Sequence, residues 1–443
     1  GGVAPGQPER LAAPGPAALA PDRRGLTISF QIIKLPAGAC PSVAGSSIMV
    51  IDMKTSSPAW LTAVKTELKT PAWKRSLIVW LALNILLTGM GVVAWKLHSP
   101  IRPHDPYNLW GSTPIEAGLP GALEGVWLRW DALHYYHIAQ EGYNTEVVSA
   151  FFPLYPLLGR AVGGLLGGDE LAGLLLVSRL AFLLALVVLY KMAAEKFGDE
   201  VATFAILFTA LYPMGVYWFA PYPLSLALLF SMLSLRWAMQ RRWLPAALVG
   251  LAAGLTHGTT IPLTLGLFTA WLAQVRKEPR AWLLLPAVGT PPLGMLLFFA
   301  YRIGIGLPPI NDLLATIWLR VMQPPWMIVA DFQRFFLYYL GHVDGWINLA
   351  LFLFGVGMIV VCIRRLEPPL WVYHLSLVVY ICSTTNYTTP FGSYGRYLMM
   401  AFPAFITLPL VVRGKGARLA ALVVGFFSML FLTVVYLEWG WLA

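Results

Sequence analysis

The sequence predicts an all-α polytopic membrane protein, a bundle of about eleven transmembrane helices with interfacial helices in its first extracytoplasmic loop. Three observations lead there. The 443 residues are 58% hydrophobic and 12% charged, with a mean hydropathy of +0.67, whereas soluble domains carry about 25% charge. Long apolar runs recur from residue 77 to residue 437. The basic residues fall in short clusters between those runs, as the positive-inside rule requires. The net charge of +10 is therefore a topological signal and points to membrane lipids, not to nucleic acid.

Residues 1–52 have a different composition. They are rich in Gly, Pro and Ala, and the first methionine is Met49. This predicts a disordered tail, or translated sequence upstream of a start at Met49 or Met53. Residues 53–443 read as one transmembrane domain. Its apolar runs are 77–95, 171–190, 201–219, 221–239, 281–301, 346–363, 370–386, 397–412 and 419–437. Clusters at Lys65/Lys69/Lys74/Arg75, Lys191/Lys196, Arg236/Arg241/Arg242, Arg276/Lys277/Arg280, Arg364/Arg365 and Arg413/Lys415/Arg418 mark the cytoplasmic end. Acidic residues outnumber basic ones in 96–148, which fits an outside loop.

Charge parity decides two further stretches. The run 244–273 begins and ends at basic clusters; as one helix it would be about 45 Å long and would strand one cluster on the wrong face. Two short helices with a turn near Thr256–Thr260 keep both clusters together. The run 149–167 would invert every later cluster up to Arg280 if it spanned. Its Pro153, Pro156 and paired glycines also suit an interfacial helix better. The N-terminus is then inside, the C-terminus outside, and loops 96–170, 302–345 and 387–396 meet over one outward cavity. Cys40, Cys362 and Cys382 show no metal-ligand spacing, and Cys362 and Cys382 are expected toward opposite faces, which disfavours a disulfide.

The chemistry concentrates in Trp127–His137, inside loop 96–170, where one acid, one arginine, two histidines and four aromatics fall together. Asp131 opens a short helix and is a candidate N-cap and a candidate general base on an acceptor hydroxyl. Arg129 and Trp130 precede it, and His134 lies one turn on, on the same face. Asp131, His134 and His137 offer a three-ligand face for a divalent metal, although helix-borne zinc pairs are usually spaced i, i+4. Trp127, Trp130, Tyr135 and Tyr136 suit an interfacial belt or a sugar-stacking surface. Arg396, before Tyr397 and at the outer mouth of a span, opposes the positive-inside trend and suits phosphate recognition. Arg320 and Arg334 in loop 302–345 are further candidates for that role. His257 sits in the turn at membrane depth, where an ionisable side chain is a functional candidate or is satisfied by Thr256 or Thr259. No GxxxxGK[ST] loop, GxGxxG with a following acid, or HExxH is present, so a membrane-borne donor fits better than a soluble nucleotide sugar.

Arg129-Trp130-Asp131-Ala132-Leu133-His134-Tyr135, then Ile138-Ala139 and Gly142-Tyr143, then Phe151-Phe152-Pro153-Leu154-Tyr155-Pro156-Leu157 together resemble the RWDxxHY…IAxxGY…FFPLYPL pattern of the PIG-V family. These are GPI mannosyltransferase II and its bacterial relatives, of the GT-C fold. Weaker likeness extends over 77–437, to Gly395-Arg396-Tyr397. The resemblance implies a GT-C-like bundle in a bacterial plasma membrane, with an extracytoplasmic active site. It implies inverting transfer of a sugar, mannose, from a polyprenyl-phosphate donor to a lipid-linked glycan, glycolipid or protein, with no cofactor required. It casts Asp131 as base and Arg396 near the lipid phosphate, with Arg129, Trp130, His134, Tyr135, Phe152, Tyr155, Tyr222, His257 and Tyr397 around the substrate. Two positions depart from the family. Leu224 replaces the acid of YxES in Tyr222–Ser225, and His257 replaces an arginine in the short hairpin; both bear on substrate identity and leave room for a non-catalytic relative. A lipid or glycolipid transporter or flippase would use a similar cavity. Transporters often carry internal repeats and midplane charges, and here no repeat is evident and the acids gather in the outer loop.

Overall fold

The structure, a computed structural model, describes residues 26–33, 48–55, 65–97 and 118–440. Two compact units emerge, 1–70 and 71–443. In the first, β1 (Leu26–Ile33) and β2 (Ile48–Thr55) pair antiparallel, with Leu26 opposite Thr55 and Ile33 opposite Ile48. The remainder of the 1–52 segment, Cys40 included, lies outside the described residues, as does 98–117 of the first loop.

The second unit is helical. Its principal elements are α1 (Pro71–Leu97), α2 (Asp131–Glu141), α3 (Leu154–Leu165), α4 (Glu170–Ala210), α5 (Leu224–Met239), α6 (Trp243–Gly254), α7 (Leu263–Val275) and α8 (Thr290–Gly304). A short strand β3 (Arg320–Met322) and helices α9 (Ile328–Arg334), α10 (Val343–Arg365) and α11 (Pro368–Cys382) follow. Then come β4 (Thr384–Asn386), α12 (Tyr394–Tyr397), α13 (Phe402–Val411) and α14 (Lys415–Leu437). The chain is a multi-pass membrane protein, and its described residues do not establish the expected count of eleven spans. Among the described residues five helices are long and apolar enough to cross: α1, α4, the broken run Pro279–Gly304, α10 and α14. The pair Tyr394–Met400 and Phe402–Val411, bent by 87°, makes a sixth if counted as one broken span, and it stands in place of the straight helix expected at 397–412. Proline explains much of the shortening: Pro223, Pro262 and Pro403 stand at helix starts, where each fixes φ and removes an N–H that a continuous helix would need.

Two expected reversals are present. Gly198 breaks α4 with φ 83° and ψ 171°. Phe182 stacks on Trp218 with ring centroids 5.0 Å apart, while Trp218 Nε1 donates to the Thr209 carbonyl at 3.0 Å. In one straight helix Phe182 and Thr209 would stand about 40 Å apart, so 170–197 and 199–210 are two antiparallel arms. The run 244–273 also folds back: Trp243 Nε1 donates to Gln274 Oε1 at 2.6 Å, joining the start of α6 to the end of α7. The break falls at 255–262, where the turn was expected.

These reversals sort the charges. Around the Gly198 turn, Arg75 reaches Tyr190 and Thr203, Arg236 pairs with Glu195, Lys196 with Glu367 at 2.8 Å, and Arg418 with Glu200. The basic clusters thus share one end of the bundle. The other end of the first α4 arm carries the proline-rich segment. Helix α3 buries Tyr155, Gly159 and Gly163 against that arm and leaves Leu157, Leu165 and Leu166 exposed. Its crossing depends on small residues: a Cβ on Gly173 would lie 2.2 Å from the Gly159 carbonyl oxygen.

Candidate active site

The loop before α2 is bolted to the end of the last helix. Arg129 is 2% exposed; Nε donates to the Leu437 carbonyl at 3.2 Å, and Nη1 to those of Gly125 and Leu128 at 3.0 and 3.1 Å. Its guanidinium lies 4.5 Å from the Trp439 ring. Trp130 Nε1 donates to the Gly440 carbonyl at 3.2 Å, and Tyr436 Oη to the Trp127 carbonyl at 2.8 Å. These clamps hold Trp130 at φ 55° and ψ −127°, a conformation that L residues rarely adopt. Arg129, expected around the substrate, is engaged by three backbone carbonyls of this turn and the last helix. Trp130, not Asp131, occupies the N-cap position, and the Asp131 carboxylate is free to turn outward.

Asp131 meets Arg396. Arg396 Nη1 donates to Asp131 Oδ2 at 2.6 Å, with side-chain exposures of 12% for the arginine and 17% for the acid. The carboxylate also sits at the N-terminus of α2, where the helix dipole favours negative charge. Arg396 Nη2 donates to Ser393 Oγ at 3.2 Å, and its guanidinium packs over Tyr217, Tyr222 and Tyr397 at 5.5, 5.9 and 5.9 Å. The backbone beneath is crowded: Gly395 N–H donates to Asn348 Oδ1 at 2.9 Å, and a Cβ there would stand 2.7 Å from Leu351 Cδ1.

The other expected residues divide into a rim and a foundation. His257 caps the turn between α6 and α7, with Nδ1 2.7 Å from Thr259 Oγ1, and its ring lies 6.1 Å from that of Tyr397. A Cβ on neighbouring Gly258 would be 3.1 Å from Tyr380 Oη and 3.8 Å from Phe152. Half-buried Phe152, His257, Tyr397 and Trp130 therefore border the same region as the ion pair. Tyr135, Tyr155 and Tyr222 are buried beneath it. Tyr155 Oη is engaged with the Leu174 carbonyl and Ser178, and Tyr222 Oη with the Arg129 carbonyl. The Tyr155 and Tyr222 hydroxyls are thus taken up within the fold. Leu224 is also buried, at the start of α5.

The histidines of α2 diverge. His134 stacks on Phe151 at 4.5 Å, and burial lowers its pKa to about 4, with Asp131 opposing that shift and His137 adding to it. It is neutral at physiological pH. His137 Nε2 lies 2.6 Å from Asn144 Oδ1. Among the described residues no three His, Cys, Asp or Glu side chains converge as metal ligands.

Loop 302–345 pairs with the end of the run expected to span at 370–386: β3 lies antiparallel to β4, Arg320 opposite Asn386. Arg320 Nη2 donates to the Gly392 carbonyl and Ser393 Oγ at 3.1 and 3.0 Å, which places it beside Arg396. Arg334 is held elsewhere, by buried Asp331 and Thr385. Asp331 itself accepts from Thr385 Oγ1 at 2.5 Å and Tyr394 Oη at 3.0 Å, tying α9 to the segment that carries Arg396. Sequence reasoning missed Tyr217, Tyr380 and Asp331; nothing in their spacing marks them, since each reaches the site through a tertiary contact.

No protein-family model matches the sequence, and no match was found among the sequences of curated proteins. Among solved structures the chain is similar to the oligosaccharyltransferase AglB of the archaeon Archaeoglobus fulgidus. With an inhibitory peptide and a dolichol-phosphate, that structure is 12% identical with a TM-score of 0.37, over 80% of this chain and 55% of the other. The complex with zinc and sulfate gives 14%, 0.37, 80% and 52%, and the apo form 12%, 0.39, 80% and 55%. The chain spans about half the length of these proteins. A likeness at this level passes on no residue role.

Proposed function

We propose that this chain is a membrane glycosyltransferase that moves a sugar, mannose, from a polyprenyl-phosphate donor to an acceptor hydroxyl on the extracytoplasmic face, with inversion. The observation that carries the reading is the Asp131–Arg396 pair, formed across 265 residues of sequence at a largely secluded, aromatic-bordered site. The site lies at the end of the bundle away from the basic turn, which the positive-inside rule would make the outer end. The likeness of 129–157 to the PIG-V motif agrees with it. The acceptor oxygen attacks the sugar C1 opposite the phosphate, while Asp131 takes its proton. The C1–O bond to phosphate breaks, and its electron pair leaves with the phosphate oxygen. The departing lipid phosphate is a stable anion that needs positive charge more than an acid, and guanidinium groups supply it here. The acceptor is a lipid-linked glycan, glycolipid or protein, and the scheme requires no cofactor.

The test uses purified protein and a panel of polyprenyl-phosphate sugars, with release of the polyprenyl phosphate as readout. Asp131→Asn should lower turnover by about 100-fold or more while leaving membrane insertion intact. Near-wild-type turnover in that variant would sink the assignment.

A further inference from the structure

Two arginines flank Tyr397, and they are differently engaged. Arg396 Nη1 is held by Asp131 and Nη2 by Ser393. Arg320 lies over the same Tyr397 ring at 5.3 Å and shares the same Ser393 hydroxyl. Its Nη1, however, is buried with no hydrogen-bond partner among the described residues. A buried, charged donor left unmade is costly and uncommon in a native fold. Among the described residues no carboxylate pairs with it: Asp131 faces Arg396, and Asp331 is enclosed by Arg334, Thr385 and Tyr394. The neighbouring His257 is engaged with Thr259, and Tyr397 offers its ring face. Two guanidinium groups beside one available carboxylate leave an excess positive charge, and the open valence is on Arg320.

We propose that Arg320 Nη1 binds a non-bridging phosphate oxygen of the lipid-linked donor, and that Arg396 positions Asp131. Position and rigidity favour Arg320. Strand pairing of β3 with β4 fixes its backbone, and Nη2 is braced on Gly392 and Ser393, so Nη1 is already oriented. This inference rests on the transferase reading and assigns its anion site.

The experiment measures polyprenyl phosphate binding to purified protein in lipid nanodiscs, with unphosphorylated polyprenol as control. Thermal midpoint shifts are read against each variant's own ligand-free baseline, so a destabilised variant remains informative. In wild type, polyprenyl phosphate should raise the midpoint and polyprenol should not. Arg320→Gln should weaken phosphate binding at least about tenfold, Arg320→Lys should recover part of it, and Asp131→Asn should bind as wild type does. In turnover, Arg320→Gln should raise KM for the donor, whereas Arg396→Gln should act chiefly on kcat. Unchanged phosphate binding in Arg320→Gln overturns the proposal, as does a loss confined to Arg396→Gln. A wild type that binds polyprenyl phosphate through Arg320 but transfers no sugar would keep the anion site and overturn the transferase.

Discussion

The two ends of the bundle hold their charges in different ways. At the Gly198 end every pair keeps its glutamate in water: Glu195, Glu278 and Glu200 are 59%, 49% and 75% exposed, although Arg236 and Arg418 themselves are only 17% and 13% exposed. At the other end Asp131 and Arg396 are 17% and 12% exposed and ringed by tyrosines. Exposed pairs contribute about 0–1 kcal/mol, so the first set matters for orientation across the bilayer more than for holding the fold. A secluded pair carries a desolvation cost that hydrophobic packing would avoid. Charge kept at such a place is better explained by chemistry than by stability.

The largest expected effect follows from removing one member of the secluded pair. Arg396→Gln leaves the Asp131 carboxylate beside Tyr217 and Tyr222 without its cation, and should destabilise the protein by about 3 kcal/mol. The double variant Asp131→Asn, Arg396→Gln should regain most of that loss, because neither charge then remains. Chemical unfolding in detergent micelles would measure both. A single variant as stable as wild type would erase the distinction between the two ends.

The same contrast explains what was legible in the sequence. Charge parity located the basic end and both reversals, because an arginine cluster on the wrong face is costly whatever the packing. Motif spacing located Asp131, and topology alone placed Arg396 on its side. The span count was not legible: apolar runs look alike whether they form one straight helix or, as at 394–411, two segments bent by 87°. Nor was the foundation distinguishable from the rim. Tyr155 and Tyr397 are both tyrosines in motif-like settings, yet one is fully buried on Ser178 and the other borders the ion pair. Arg129 carries a charge that suggests a ligand, but it is engaged by the Leu437 carbonyl, 308 residues away at 3.2 Å, and by the local carbonyls of Gly125 and Leu128 at 3.0 and 3.1 Å. Such contacts depend on where distant segments come to lie, which no local pattern records.

A smaller effect probes the neutral histidine beside the site. His134 has its pKa lowered from 6.5 to about 4 by burial. The unfolded chain therefore binds more protons between those values, and stability rises with pH across that window. As pH falls from 6.5 toward 4 the contribution of neutral His134 is lost, and above 6.5 it is fully present. His134→Phe keeps the stacking on Phe151 and removes the titration. Its midpoint should fall less than that of wild type between pH 7 and pH 5; equal falls would show that His134 is protonated in the folded protein as easily as in the unfolded chain.

The smallest effect belongs to the exposed end. Arg241→Gln removes an ion pair whose two side chains are each about half in solvent, so water replaces the lost partner on both sides. The change in unfolding free energy should stay below about 1 kcal/mol, and added salt should shrink it further. Glu278→Gln should behave in the same way, since neither charge is stranded when the other goes. That symmetry is the sharpest contrast with Asp131 and Arg396, where either single change should cost far more than both together. A large, salt-insensitive loss in Arg241→Gln would mean that the α6–α7 hairpin depends on this pair and not on its apolar packing and the Trp243–Gln274 bond.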